Sequence, residues 1–132
     1  MAITLNAATR ALVDGRNYAT ISTLNPEGSP HSSVMWITRD GDDLLFSTLR
    51  DRRKARNLSR DPRASVSVWD HETPETYVEI RGTVTIAEDV DRALVNALSL
   101  KYTGEPYAEE PPDRVRVVLR LTPTKVAGNG SV

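Results

Sequence analysis

Segments of alternating apolar and polar residues, separated by turn-forming residues, dominate this chain and restrict its fold more than any other feature. Asn-Pro-Glu-Gly-Ser-Pro at 25–30 is a turn by composition, and Asp40 followed by Gly41 is a strong hairpin signal. Gly82, inside the longest segment, predicts a bulge or bend, and Pro123 is expected to break the last one. Six strands are predicted, at residues 18–24, 31–38, 43–48, 63–69, 76–87 and 115–121.

The strands follow one another in hairpin order, with one helix crossing between the third and the fourth. This order predicts a mainly β fold with few helices, and an antiparallel barrel rather than a parallel sheet. A helix near the start is predicted to begin at its N-cap Asn6 and to end at Gly15. A later helix is predicted to be capped by Glu88 or Asp89 and to end at Gly104. Its predicted buried stripe is Val90, Leu94, Ala97 and Leu98.

Length and composition are those of one globular domain over residues 1–132, with 39% hydrophobic and 27% charged residues. The absence of cysteine excludes disulfides, thiolate metal sites and cysteine nucleophiles. His31 and His71 lie far apart and lack the spacing of zinc ligands, so no metal site is predicted. No apolar run approaches the roughly 20 residues of a membrane span. We therefore expect a cytoplasmic protein without a membrane span or a signal peptide.

The run from Arg50 to Arg63 is strongly basic. It carries seven of the chain's 17 basic residues and two aspartates, so it is net +5 in a chain of net charge −1. Read as a helix, it places Arg52 over Arg56, a like-charge pair that costs about 0.2–0.5 kcal/mol. A phosphate at the helix N-terminus would offset this repulsion, whereas charge alone also fits an exposed basic face without a ligand. Because the run directly follows an apolar strand at 44–46, the anion site is favoured.

The sequence contains no recognisable set of catalytic side chains: it lacks a nucleophile elbow, a phosphate-binding P-loop and a dinucleotide fingerprint. A phosphate site without an acid, base or nucleophile suits a cofactor that brings its own reactivity. Ser33, Ser47 and Thr48 could bind a ring edge or phosphate oxygens, or serve as sheet-face or N-cap hydroxyls. Tyr77 and Trp36 could stack on a ring, or pack in a core or a subunit seam.

An ordered set of short motifs spans residues 19–83. They are Ala-Thr-Ile-Ser-Thr-Leu at 19–24, Gly-Ser-Pro-His at 28–31, Trp36, Arg-Arg-Lys-Ala-Arg-Asn-Leu at 52–58, Asp-Pro-Arg-Ala at 61–64 and Glu-Ile-Arg-Gly-Thr at 79–83. Together they resemble the pyridoxamine 5′-phosphate oxidase-like split-barrel flavoproteins. The Lys-x-x-Asn-Leu-x-x-Asp-Pro form is most similar to the actinobacterial branch that uses the deazaflavin coenzyme F420.

The resemblance implies a six-stranded antiparallel split β-barrel of the FMN-binding, Greek-key type, and an obligate homodimer with cofactor sites at the subunit interface. Arg52 and Lys54 would hold the cofactor phosphate, with Arg56 and Asn57 supporting them. Tyr77 would reach the site from the partner subunit. Family chemistry is hydride transfer, often without an essential side-chain acid or base, so no catalytic residue is predicted. The side chains expected beside the cofactor ring are His31, Ser33, Met35, Ser47 and Thr48.

Coenzyme F420 is the predicted cofactor and FMN the alternative. F420 adds a phosphodiester and an oligoglutamate tail, and seven cations over fourteen positions suit this longer polyanion. The predicted function is hydride transfer between F420 and an electron-poor conjugated or quinone-like small molecule. An FMN-dependent oxidoreductase of the same fold and a cofactor-binding protein without turnover are the alternatives. Nucleic-acid binding is not expected, because the rest of the chain is net −6 and no aromatic residue interleaves the cations.

Overall fold

Seven antiparallel strands in one sheet form the body of the protein, in a computed structural model that describes residues 2–132. Their order in the sheet is β2-β1-β5-β6-β7-β4-β3. The prediction of a mainly β, antiparallel fold is therefore confirmed, but the predicted number of six strands is wrong. The strands are β1 (Ala19–Leu24), β2 (Pro30–Met35), β3 (Thr38–Asp40), β4 (Asp43–Leu49), β5 (Arg63–Trp69), β6 (Tyr77–Glu88) and β7 (Arg116–Ala127).

The additional strand arises because the predicted second strand is divided at Trp36 and Ile37. β2 pairs with β1 and β3 pairs with β4, so the two halves lie at opposite edges of the same sheet. The Ile37 side chain is fully buried, and its backbone N–H donates to the Tyr102 hydroxyl at 3.2 Å instead of to a neighbouring strand. Since only two residues separate β2 from β3, the two edges approach to within about 11 Å here, and the sheet must curl.

A bulge joins the two longest strands, β6 and β7, where their register shifts between Arg81 and Gly82. A Cβ atom on Gly82 would lie 2.1 Å from the Thr122 carbonyl oxygen, so only glycine fits at this close approach. The predicted bulge is confirmed. Pro123 does not break the strand, and β7 continues to Ala127, because the proline lies opposite Gly82, where the hydrogen-bond ladder is already interrupted.

Three helices accompany the sheet: α1 (Ala7–Asp14), α2 (Arg53–Arg60) and α3 (Ala93–Thr103). The predicted cap of α1 is confirmed, since the Asn6 Oδ1 atom accepts a hydrogen bond from the Thr9 backbone N–H at 2.9 Å and Gly15 ends the helix. None of the helices among residues 2–132 combines the length and apolar character needed to cross a membrane.

The second predicted helix corresponds to α3 and begins later than expected. Asp89 caps it as predicted, because its carboxylate accepts hydrogen bonds from two backbone N–H groups, those of Leu94 at 2.9 Å and Val95 at 3.0 Å. Asp91 and Arg92 adopt left-handed backbone conformations, with φ of 57° and 55°, and this kink changes the phase of the helix. The predicted stripe is therefore wrong at two positions, since Val90 and Ala97 are exposed. The buried residues are Leu94, Val95, Leu98, Ser99 and Tyr102.

Two apolar clusters fill the interior. The larger lies inside the curled sheet, and Ile21, Phe46, Val66, Ile80, Leu119 and Leu121 are completely buried in it. The smaller packs α3 against the sheet through Leu94, Leu98 and Tyr102, with Trp36, Leu45 and Val118 at its edge. Trp36 thus lies where the two edges of the sheet meet and where α3 covers them.

Candidate functional site

A cleft of about 380 Å³ opens where β4 ends and the basic segment begins. Its walls come from β4, the first turn of α2, the link between β2 and β3, α3, and the start of β7. The lining residues are Tyr18, Val34, Met35, Trp36, Ser47, Thr48, Leu49, Arg52, Lys54, Val95, Leu98, Tyr107 and Arg116. Five of the ten residues predicted to bind a cofactor are among them, namely Met35, Ser47, Thr48, Arg52 and Lys54.

The basic segment turns sharply between β4 and α2. The Arg52 backbone N–H donates to the Leu49 carbonyl at 3.1 Å, and the next residue begins the helix. Arg52 is the N-cap, its side chain caps nothing, and the first turn of α2 contains no acidic residue. The helix therefore starts with positive side chains and unpaired N–H groups at the positive end of its dipole, an arrangement suited to an anion.

Arg52 and Lys54 bring two positive charges to this end of the cleft. Within residues 2–132, neither side chain forms an ion pair with a carboxylate. Burial lowers the pKa of Lys54, and the nearby charges of Arg52 and Arg116 lower it further. A half-buried ammonium near two guanidinium groups favours an anion as counter-ion, so this end of the cleft suits a phosphate.

Two buried polar atoms on β2, His31 Nδ1 and Ser33 Oγ, have no hydrogen-bond partner within the described part of the chain. The same is true of Ser47 Oγ on β4. Buried polar groups in proteins are nearly always paired, so each of these atoms is a candidate for a bond to a ligand. Ser47 lines the cleft. His31 and Ser33 lie on the same face of β2 as Met35, but they do not line the cleft.

The remaining predicted residues lie elsewhere. Arg56 is exposed on α2, one turn beyond the cleft. Asn57 is fully buried, and its side-chain amide donates to Thr23 Oγ1 and Asn25 Oδ1, both at 3.0 Å, so it fastens α2 to the sheet. Tyr77 lies on the outer face of the sheet, 42% exposed, away from the cleft of its own subunit.

Sequence reasoning missed the part of the cleft wall that comes from β7 and the loop before it. Arg116, at the start of β7, donates from Nε and Nη2 to the two carboxylate oxygens of Glu110, at 2.9 and 3.0 Å. Burial opposes a charge here, but the hydrogen bonds and charge of Glu110 outweigh it and raise the pKa of Arg116. Arg92 also pairs with Glu110, at 3.1 Å. These bonds hold the loop at residues 105–113 against the body of the protein.

Tyr107 projects from this loop into the wall of the cleft. Two guanidinium groups lie close to its ring, with the Arg116 Cζ atom 4.9 Å and the Arg92 Cζ atom 5.8 Å from the ring centroid. Arg116 Nη2 also donates to the Tyr107 hydroxyl oxygen at 3.2 Å. No sequence motif marks Tyr107 or Arg116, because both are brought to the site by contacts between distant segments.

Aromatic rings form the apolar half of the cleft. Trp36 stacks on Tyr102 with ring centroids 5.3 Å apart and meets Tyr107 edge-on at 6.2 Å. Tyr18 also stacks on Tyr102, with ring centroids 5.8 Å apart. Trp36 therefore packs against the smaller apolar cluster, as one of its two predicted alternatives has it, and it also lines the cleft. Stacking of Trp36 on a cofactor ring stays a prediction. The cleft therefore combines cationic side chains with flat apolar surfaces.

Comparisons with known proteins agree with this architecture. The family model of pyridoxamine 5′-phosphate oxidase matches residues 5–130. A curated relative, the pyridoxine/pyridoxamine 5′-phosphate oxidase of Kineococcus radiotolerans, is 31% identical over 111 residues, which are 84% of this chain and 47% of the relative. The chain thus spans about half the length of that relative.

Solved structures extend the comparison. An F420 reductase superposes with a TM-score of 0.83 at 31% identity, covering 93% of this chain and 98% of that one. The conserved hypothetical protein Rv2991 of Mycobacterium tuberculosis superposes with a TM-score of 0.75 at 26% identity, covering 95% of this chain and 84% of that one. The resemblance inferred from the motifs is confirmed by the family match over nearly the whole chain, and the chain belongs to the pyridoxamine 5′-phosphate oxidase family.

Proposed function

We propose that this protein is an F420-dependent oxidoreductase that transfers a hydride between the deazaflavin ring and an electron-poor conjugated or quinone-like molecule. The observation that carries the proposal is the pair of cations, Arg52 and Lys54, that line the cleft and have no carboxylate partner in the part of the chain that the structure describes. When bound, the cofactor supplies the hydride chemistry, and the side chains supply binding and orientation.

The residues of the cleft fit a phosphate-bearing ring cofactor. Lys54 and Arg52 would hold the phosphate at the start of α2. The unpaired Ser47 hydroxyl, together with Thr48 and Met35, would lie beside the ring. His31 Nδ1 and Ser33 Oγ, which are buried and unpaired, would bond to the cofactor if it extends along β2.

Two observations favour F420 over FMN. The F420 reductase structure is similar to almost the full length of this chain. In addition, three arginines of the basic segment are exposed and make no ion pair within residues 2–132, namely Arg50, Arg53 and Arg56. They could bind a polyanionic tail that extends out of the cleft. FMN ends at its one phosphate and would leave these arginines unused. The family match keeps FMN as the second candidate.

A homodimer with two cofactor sites at its interface completes the proposal. The outer face of the sheet presents Tyr77 and Glu79 beside a row of small hydroxyl residues, Thr20, Ser22, Ser65 and Ser67. Packed against a second subunit, this face would bring Tyr77 to the partner's cleft. Sedimentation velocity tests the dimer, and a monomer at micromolar concentration would contradict it.

Separate titrations of the purified protein with F420 and FMN test the cofactor. We expect F420 to bind with a dissociation constant of about 1 μM or tighter, which corresponds to roughly −8 kcal/mol, and FMN to bind more weakly. Tight FMN binding without F420 binding would replace the proposal with the FMN-dependent alternative.

Anaerobic mixing of the protein with reduced F420 and a panel of quinones and conjugated enones tests turnover. We expect oxidation of the reduced cofactor that depends on both the protein and the acceptor. If F420 binds but no acceptor in the panel is reduced, the protein is a cofactor-binding protein without turnover.

A further inference from the structure

We propose that Tyr107 and Arg116 form the catalytic pair that receives the substrate's carbonyl oxygen, with Tyr107 donating a proton to it as the hydride arrives. The inference rests on the proposed function and deepens it, because it assigns the substrate class: a flat molecule in which a C=C bond is conjugated to a carbonyl group. Both residues line the cleft, as Lys54 does.

The direction of one hydrogen bond makes Tyr107 a proton donor. Arg116 Nη2 donates to the Tyr107 hydroxyl oxygen at 3.2 Å, so that oxygen acts as an acceptor in this contact. Among the described residues, no acceptor receives the hydroxyl's own proton. The bond from Arg116 occupies a lone pair of the Tyr107 oxygen and leaves the O–H group available. That group can therefore donate its proton to a substrate atom in the cleft.

Positive charge lies close to the Tyr107 side chain, which would keep the electron pair after proton transfer. Two guanidinium groups lie close to its ring, Arg116 at 4.9 Å and Arg92 at 5.8 Å from the centroid. The Arg116 side chain is only 13% exposed, so its charge acts in a poorly solvated environment, where it is worth more than in water. Trp36, edge-on to Tyr107, supplies the flat apolar surface for the rest of the substrate.

The step balances in atoms and electrons. A bound reduced cofactor would supply the hydride, which would form a C–H bond at the β-carbon while the electrons of the C=C bond move onto the carbonyl oxygen. The O–H bond of Tyr107 breaks as that oxygen takes the proton, and the electron pair stays on the Tyr107 oxygen beside Arg116. Water then returns a proton to Tyr107, while the oxidised cofactor releases one to the solvent.

Glu110 is a positioning residue for this pair. It holds Arg116 through two hydrogen bonds and Arg92 through an ion pair, and these bonds orient the guanidinium groups around Tyr107. Its side chain is 15% exposed and faces away from bulk solvent. The neighbouring Glu109 is exposed and provides a matched control.

The first experiment measures ligand binding, without turnover. The protein saturated with oxidised F420 is titrated calorimetrically with 4-nitrophenolate, a flat oxyanion like the developing enolate, and with 4-nitroanisole, its uncharged analogue. We expect Tyr107→Phe to weaken phenolate binding about 10-fold, the effect of one hydrogen bond to a charged group, and to leave anisole binding unchanged. Arg116→Met is expected to act in the same direction. An equal loss for both ligands would reduce Tyr107 to a packing surface and overturn the inference.

The second experiment measures turnover with reduced F420 and 2-cyclohexenone. We expect Tyr107→Phe to lower kcat about 100-fold, the lower range for a general acid, with the F420 dissociation constant unchanged. Glu110→Gln should lower kcat without changing F420 affinity, whereas Glu109→Gln should change neither. A Tyr107→Phe variant as fast as the wild type would overturn this inference alone. A wild-type protein that binds no F420 would overturn the proposed function and the inference with it.

Discussion

Lys54 of α2 and Arg116 of β7 line the same cleft, and the positive charge of Arg116 contributes to the lowered pKa of Lys54. Only Arg116 has a carboxylate partner, Glu110, whereas Lys54 has none within residues 2–132. The two sides of the cleft therefore differ in kind. One cation is already neutralised and held in place, and the other is available to a ligand.

Lys54→Ala tests the role of the available charge. We expect F420 affinity to fall about 10- to 100-fold, because a charge-assisted hydrogen bond contributes roughly 1.5–3 kcal/mol. Titration with F420 measures the loss. The thermal midpoint should stay the same or rise slightly, since burial and two neighbouring cations already disfavour the ammonium in the folded protein.

Lys125→Ala is the control for Lys54→Ala, because Lys125 is an exposed lysine on β7 that does not line the cleft. Its effect on F420 affinity should be several-fold smaller. Unfolding or dissociation of the Lys54→Ala variant would instead show that Lys54 is structural.

Asn57→Ala tests how α2 is fastened to the sheet. Because the buried Asn57 amide donates to Thr23 and Asn25, its loss leaves both acceptors without this donor and should destabilise the protein by about 1–3 kcal/mol. Urea unfolding measures the change. Ser59→Ala, on the exposed face of the same helix, should cost less than about 0.5 kcal/mol. Equal stability of the two variants would contradict the anchoring role of Asn57.

Gly82→Ala tests the bulge between β6 and β7. The new Cβ atom would meet the Thr122 carbonyl oxygen at 2.1 Å and Leu121 Cδ2 at 2.8 Å, so the strands must separate, at a cost of about 3 kcal/mol. Gly41→Ala is the control, because Gly41 has φ +61° but open space around it. That change should cost only about 1 kcal/mol of backbone strain. Chemical denaturation of both variants checks the difference.

Lys101 predicts a pH dependence of stability. Its Nζ donates to the carbonyl oxygens of Val13 and Ile37, both at 2.7 Å, and burial lowers its pKa to about 8 from 10.5. The unfolded state therefore binds more protons between these two pKa values. As pH rises from about 8 to about 10.5, the free energy of unfolding of the wild type should increase relative to that of Lys101→Met. Denaturant titrations across this range check the sign, and a falling difference would contradict it.

The strands could be predicted from the sequence wherever one face is buried and the other is exposed to solvent. β5 is found with its predicted bounds, and the apolar residues of β6 face inward as expected, because a period of two leaves only one register that buries them. The caps at Asn6, Asp89 and Gly104 were equally readable, since each depends on a few neighbouring residues.

Features set by distant segments could not be predicted in this way. The continuation of β7 through Pro123 depends on the bulge at Gly82 in the neighbouring strand. The division at Trp36 and Ile37 depends on Tyr102, more than sixty residues later. The basic residues of the cleft could be predicted because they form a local run of charge in the sequence. Arg116 could not be predicted, because it reaches the cleft on the last strand.

The two-residue link between β2 and β3 constrains the sheet as a whole. Because these strands are its two edges, a slip of β3 along β4 by one residue would pull β2 along β1 by a similar distance. Such a slip would turn buried side chains outward at both ends simultaneously. The register at each edge of the sheet therefore fixes the register at the other. Trp36, in the link between the two edges, forms part of the cleft wall. The shape of the cleft is therefore coupled to the register of the entire sheet.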